Sequence, residues 1–205
     1  MLLTTQLTTS IRLQFINFLF IQKIFSQIIT PFHCPNATVE PTFFLNDHAG
    51  LWYEIAKFPA IHEYALDCVT IKFALTDSGK AKLITKGRDR DLDARSYRDV
   101  EIVGEVRRTL GEDAKLMASF VPPSGPESFG PYWVLDTDYT NYSLLFSCID
   151  LDYFSVQLMW VLSRKPSLTN RIRKKLWRQM AINGIDSSRL QMTDHSRCRH
   201  RHHAL

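Results

Sequence analysis

The stretch Gly50-Leu51-Trp52-Tyr53-Glu54-Ile55-Ala56 opens the part of the chain where apolar residues recur at alternate positions, and Trp52 and Glu54 share one parity within it. Downstream the alternation can be counted. Val69, Ile71, Phe73 and Leu75 alternate with Thr70, Lys72 and Ala74, and Val100, Ile102, Gly104 and Val106 alternate with Glu101, Val103, Glu105 and Arg107. Leu116, Ala118 and Phe120 repeat the pattern, and Phe154, Val156, Leu158, Trp160 and Leu162 share one parity in a more uniformly apolar run. Turn signals fall between the segments at Asp77-Ser78-Gly79, Leu110-Gly111-Glu112, Pro122 to Pro131 and Thr140-Asn141, so eight short strands fit between Leu51 and Arg164. Sequential strands with short connections favour an antiparallel up-and-down meander, and a sheet of that many strands removes its edges by closing into a barrel.

One helix follows, over about residues 167–183. Leu168, Ile172, Leu176, Trp177 and Met180 fall at helical spacing, with Arg171, Arg173, Lys174, Lys175 and Arg178 mostly around the other side and Gly184 as the stop. The 205 residues are 45% apolar, enough for a real core in one domain, and the formal net charge of +4 argues against a generic nucleic-acid binder. The charge is uneven: from Lys165 onward ten Lys/Arg face two acids, whereas the preceding residues are net negative. This basic end reads either as a solvated helix surface or as a face that engages a membrane, a receptor or a polyanion.

The first 39 residues contain no Asp or Glu and run from Arg12 into Phe15, Ile16, Phe18, Leu19, Phe20 and Ile21, which predicts a secretory leader over residues 1–30. Lys23, Gln22 and Gln27 interrupt the best candidate for a membrane-spanning helix. The folded domain is expected over 31–198, with a basic tail at 199–205. Cys34, Cys68, Cys148 and Cys198 contain no CxxC pair and lack zinc-ligand spacing; behind a leader they read as two disulfides, with three connectivities open. Asn36-Ala37-Thr38 and Asn141-Tyr142-Ser143 are glycosylation sequons, making Asn36 and Asn141 candidate acceptors of a secreted protein.

Catalytic motifs are missing. There is no GxSxG, GxxxxGK, HExxH or GxGxxG, the His62-Glu63 pair is a bare dipeptide in a loop, and His200, His202 and His203 in the tail make no defined metal site. An enzyme is not expected.

Five features in order carry a family resemblance: Gly50-Leu51-Trp52; Tyr132-Trp133-Val134-Leu135 running into Thr137-Asp138-Tyr139-Thr140-Asn141-Tyr142; Phe146-Ser147-Cys148; Trp160-Val161-Leu162-Ser163-Arg164-Lys165-Pro166; and the helix. The chain resembles the lipocalins over about Cys34 to Cys198, within them the branch of apolipoprotein D and its insect Lazarillo-type relatives. The resemblance implies an eight-stranded barrel with one C-terminal helix packed outside. It gives Gly50, Trp52 and Arg164 a structural role at the barrel floor, where an arginine fork over an indole is worth about 0.5 to 2 kcal/mol. It pairs Cys34 with Cys148 and Cys68 with Cys198, leaving no thiol for cavity chemistry. Asp150 stands where apolipoprotein D has a further, unpaired cysteine, so covalent partnering through that thiol does not carry over.

The resemblance also places Phe73, Phe120, Tyr132 and Trp160 at ligand-contact positions. Strand parity turns Val69, Ile71, Phe73, Leu75, Val100, Ile102, Leu116, Ala118, Phe120, Leu158 and Trp160 inward, a lining almost devoid of charge that suits an apolar ligand. Glu54, inward with Trp52, either pairs with a basic residue or binds a polar group of a ligand; pairing is the favoured expectation. The function expected is secreted binding and transport of a small hydrophobic ligand (fatty acid, sterol, retinoid or tetrapyrrole), with lipid, retinoid or bilin as cargo and no resident cofactor. The alternative is a protein acting through its basic helix and tail.

Overall fold

The computed structural model describes residues 28–30, 33–60, 66–90, 97–109, 111–121 and 128–198. Most of the expected leader and all of the tail 199–205 lie outside them. In chain order the elements are β1 (Ile28–Thr30), the one-turn helix α1 (Leu45–His48), β2 (Gly50–Lys57), β3 (Leu66–Leu75), β4 (Ala81–Arg90), β5 (Tyr97–Thr109), β6 (Glu112–Val121), β7 (Ser128–Thr137), β8 (Tyr142–Leu151), β9 (Phe154–Ser163), α2 (Asn170–Ile182) and β10 (Gln191–Met192). Each strand from β2 to β9 pairs antiparallel with the next, and β9 returns to pair with β2. The result is the eight-stranded antiparallel barrel that the alternation predicted, with α2 outside it.

Two apolar clusters divide by strand parity. Trp52, Ile71, Phe73, Leu83, Val106, Leu116, Ala118, Tyr132, Val134, Leu145, Trp160 and Leu162 form the inner one. The outer one joins Ile55, Leu144, Phe146, Met159 and Val161 to Leu176 and Met180 of α2. The helix begins where the Thr169 side chain accepts a hydrogen bond from the Ile172 amide. It ends in a left-handed Gly184 (φ 68°), whose amide donates to Ala181 O while that of Ile185 donates to Met180 O. Lys175 fastens it to the barrel by its ion pair with Asp136 at 2.9 Å and by its contact with the Tyr142 hydroxyl.

The terminal segments repair the wall near the seam. β2 pairs with β3 only from Gly50 to Tyr53, and beyond that β10 lies along Lys57 and Ala56. Across the seam β9 pairs with β2 at its floor half and with β1 at Ser155 to Gln157. Disulfides Cys34–Cys148 and Cys68–Cys198, the pairing implied by the resemblance, anchor these two segments. Neither β1 nor β10 had a sequence pattern of its own, because two or three residues are too few to show a period. β1 also lies N-terminal to the expected domain start at residue 31.

Leu75, expected in the lining, is 46% exposed. It is the last residue of β3, two positions past Phe73, whose partner Gly50 opens β2, so β2 does not run alongside it. The Cys68–Cys198 bridge closes a loop of 130 residues. Replacing both cysteines by serine should therefore cost on the order of 4 to 5 kcal/mol in urea unfolding; an unchanged midpoint would contradict its role as a seam tether.

Candidate functional site

The floor is assembled around one guanidinium. Arg164 follows the last residue of β9, and its Cζ lies 3.6 Å from the centre of the Trp52 ring. Nε donates to Tyr139 O at 2.9 Å, Nη1 to Leu51 O at 2.8 Å and Nη2 to Ala49 O at 2.9 Å. One side chain thus ties the β7–β8 turn, the start of β2 and the end of α1. Gly50 is left-handed at φ 98°, and a Cβ there would lie 3.3 Å from Nη1 of Arg164, so glycine satisfies both the backbone and the fork. The turn holds its acceptor in place through Asp138, whose Oδ1 accepts from the amides of Thr140, Asn141 and Tyr142. The Tyr139 hydroxyl donates to Thr42 O and accepts from the Phe44 amide, pinning the segment that inserts Phe43 and Leu45 under the barrel.

His48 completes the floor and was missed, since a lone histidine outside the counted strands gives no signal. It is fully buried, stacked on Trp52 at 4.9 Å and edge-on to Phe73 at 4.7 Å. Its carbonyl accepts from Trp52 Nε1 at 2.8 Å, and its Nε2 meets Ser143 Oγ at 2.9 Å. Nδ1 has no hydrogen-bond partner. A proton on Nε2, donated to Ser143, leaves only a bare lone pair unmet, the cheaper arrangement. Burial, reinforced by the Arg164 charge, lowers its pKa to about 3.

Above the floor the aromatic residues expected to touch ligand converge. Phe73 and Tyr132 have ring centres 6.3 Å apart, and Tyr132 and Trp160 5.4 Å apart. Phe120 packs on the same cluster nearer the other end, across from Gly104. A Cβ at Gly104 would lie 2.7 Å from Phe120 Cδ1 and 2.4 Å from Ser119 O, so that glycine gives the ring its place. Exposure rises away from the floor along the inward parity of β8: Leu145 0%, Ser147 5%, Ile149 39%, Leu151 42%. The same gradient runs on β9, from buried Leu162 to half-buried Leu158, Val156 and Phe154. The barrel is solid at one end and reached by water at the other.

Glu54 is buried and pairs with Lys57 at 3.1 Å, accepting also from Thr193 Oγ1 at 2.6 Å. Three residues apart on a regular strand, these side chains would face opposite ways. A bulge resolves this: Glu54 pairs with Leu162 but Ala56 with Val161, so β2 spends two residues on one step of β9 and Lys57 joins Trp160 on the inner face. The carboxylate pairs with a base, as favoured, but the bulge that supplies Lys57 left no mark on the alternation. Asn36 and Asn141 are exposed; the Asn141 side-chain amide donates to Asp138 Oδ2 at 2.9 Å.

Comparison with known proteins agrees with this geometry. The family model described as a lipocalin-like domain matches residues 45–195. The chain belongs to the lipocalin family. Mouse apolipoprotein D is 32% identical to this lipocalin over 167 residues, covering 80% of the chain and 84% of the relative. The Lazarillo protein of Schistocerca americana is 26% identical over 166 residues, covering 80% and 75%. In fold it matches insecticyanin of the tobacco hornworm Manduca sexta (TM-score 0.70, 22% identity, 83% and 90% covered) and lobster apocrustacyanin A1 (0.64, 22%, 80% and 89%). As a lipocalin the chain is a non-catalytic binding protein with a barrel suited to a small hydrophobic ligand.

Two predictions concern the floor. Trp52→Ala or Arg164→Ala should lower stability by about 3 kcal/mol in chemical unfolding, with ligand affinity falling only secondarily; wild-type melting with complete loss of binding would refute the structural role. Because the pKa of His48 is depressed in the folded state, the unfolded chain binds the extra proton and stability falls as pH drops below about 6.5 towards 3. His48→Gln should flatten that slope, removing about 2 to 3 kcal/mol of acid sensitivity by about pH 4.5. Parallel stability profiles of variant and parent across this range would contradict it.

Proposed function

We propose that this lipocalin is an extracellular carrier of a small hydrophobic molecule, a fatty acid, sterol, retinoid or tetrapyrrole, held against Phe73, Phe120, Tyr132 and Trp160. The observation that carries this reading is the burial gradient: an inner wall that is dry and aromatic at the floor becomes half-exposed yet still apolar toward the other end, at Ile149, Leu151, Phe154 and Val156. Such a wall lets an apolar molecule replace water without leaving protein charge unpaired, since the inward Glu54 and Lys57 neutralise each other. Each Å² of apolar surface removed from water yields about 25 cal/mol before ordering costs, so micromolar binding needs no ionic contact.

Secretion is supported by the acid-free apolar stretch ahead of β1, which suits a leader, and by the two disulfides, which persist in oxidising compartments. The exposure of Asn36 suits a glycan. A glycan on Asn141 would also need its amide to leave Asp138.

The test is to titrate fatty acids, retinoids, sterols and biliverdin against the wild type and Trp160→Ala at low and high salt. Saturable, salt-resistant binding is expected, with Trp160→Ala weaker by about 1 to 3 kcal/mol and still folded. No saturable binding by the folded wild type would defeat the carrier reading.

A further inference from the structure

The outer face of α2 has a composition that packing does not require. The helix NRIRKKLWRQMAI holds five cations and no acid. Leu176 and Met180 are its buried residues. At about 100° per residue, Arg171, Lys174, Lys175, Arg178 and Ile182 then fall in one arc of about 100° on the side facing away from the barrel. All five are exposed, Ile182 by 69%. Lys175 is committed to Asp136 and Tyr142. Among the described residues, Arg171, Lys174 and Arg178 meet no acidic side chain, and no acid of α2 lies within a turn of them.

We propose that this face docks the lipocalin on a bilayer bearing anionic phospholipid headgroups. Three free cations stand in a row that, with Ile182, is about 16 Å long, and the helix lies against the barrel wall, so the row is presented side-on. Long basic side chains reach headgroup phosphates and carboxylates, and an isoleucine in the same row can enter the boundary between headgroups and acyl chains. A soluble polyanion would make no use of that exposed apolar side chain. The residues before Lys165 are net negative, so an anionic surface attracts this side of the molecule and repels the rest, which fixes the orientation. The inference stands apart from the carrier reading, because none of these residues touches the interior.

The test uses the full chain and vesicles of phosphatidylcholine alone or mixed about three to one with phosphatidylserine. Sedimentation should show binding to the mixed vesicles only, released as salt rises from about 0.1 M to 0.5 M. Each basic residue near such a surface contributes on the order of fivefold, so Arg171→Gln with Lys174→Gln and Arg178→Gln should weaken binding about a hundredfold with unchanged melting. Ile182→Ser should weaken it a few fold without changing the salt dependence. Undiminished binding of the triple variant, equal binding to phosphatidylcholine alone, or retention on heparin without binding to the mixed vesicles would each overturn the proposal.

Discussion

The structure depends on the contact between the Arg164 guanidinium and the Trp52 ring. A barrel has two open ends, and a carrier must close one of them without an additional domain. Here one planar fork lies on an indole and donates to carbonyls from three separate pieces of chain, the start of β2, the end of α1 and the β7–β8 turn. Lysine could supply the charge but not the plane or the divergent donors. Gly50 at φ 98°, the Asp138-centred turn, the anchoring Tyr139 hydroxyl and buried His48 all serve that arrangement. The cost is visible in His48, kept neutral by burial with one ring nitrogen unmet.

Closing the floor firmly leaves the remainder of the barrel free to differ. The wall near the seam is completed by β1 on β9 and β10 on β2, with a disulfide near each. Exposure of inward apolar residues increases along β8 and β9 away from Trp52. The two ends therefore differ: one is packed for stability, and the other, under the proposed carrier reading, is where cargo enters. α2 packs on the outside of the wall and adds nothing to the interior, so its outward charge does not bear on what the barrel holds.

Much of this was legible in the sequence because a half-buried strand writes its period directly, as Val69 to Phe73 and Leu116 to Phe120 do. Parity also turned Phe73, Phe120 and Trp160 inward, whereas Tyr132 and the ligand-contact role of all four were implied by the family resemblance; the rings of Phe73, Tyr132 and Trp160 meet in the interior. What parity could not reveal are the places where it breaks. The bulge at Ile55 reverses the facing of Lys57, the start of β2 at Gly50 leaves Leu75 exposed without a neighbour on that side, and His48 lies in a single helical turn too short to show a pattern. Each is decided by a neighbour distant in sequence, Val161 for the first and Ser143 for the last.

A closed floor and an apolar interior suit this chain to contain one small molecule. Native mass spectrometry of protein purified from its natural source tests it most directly, with organic extraction of the same sample. The expected result is a folded species heavier than the disulfide-bonded chain, with any glycans it carries, by one small organic molecule, recovered in the extract as an apolar compound. A folded protein found only at the mass of the chain and its glycans, with nothing extractable at comparable amount, would contradict it.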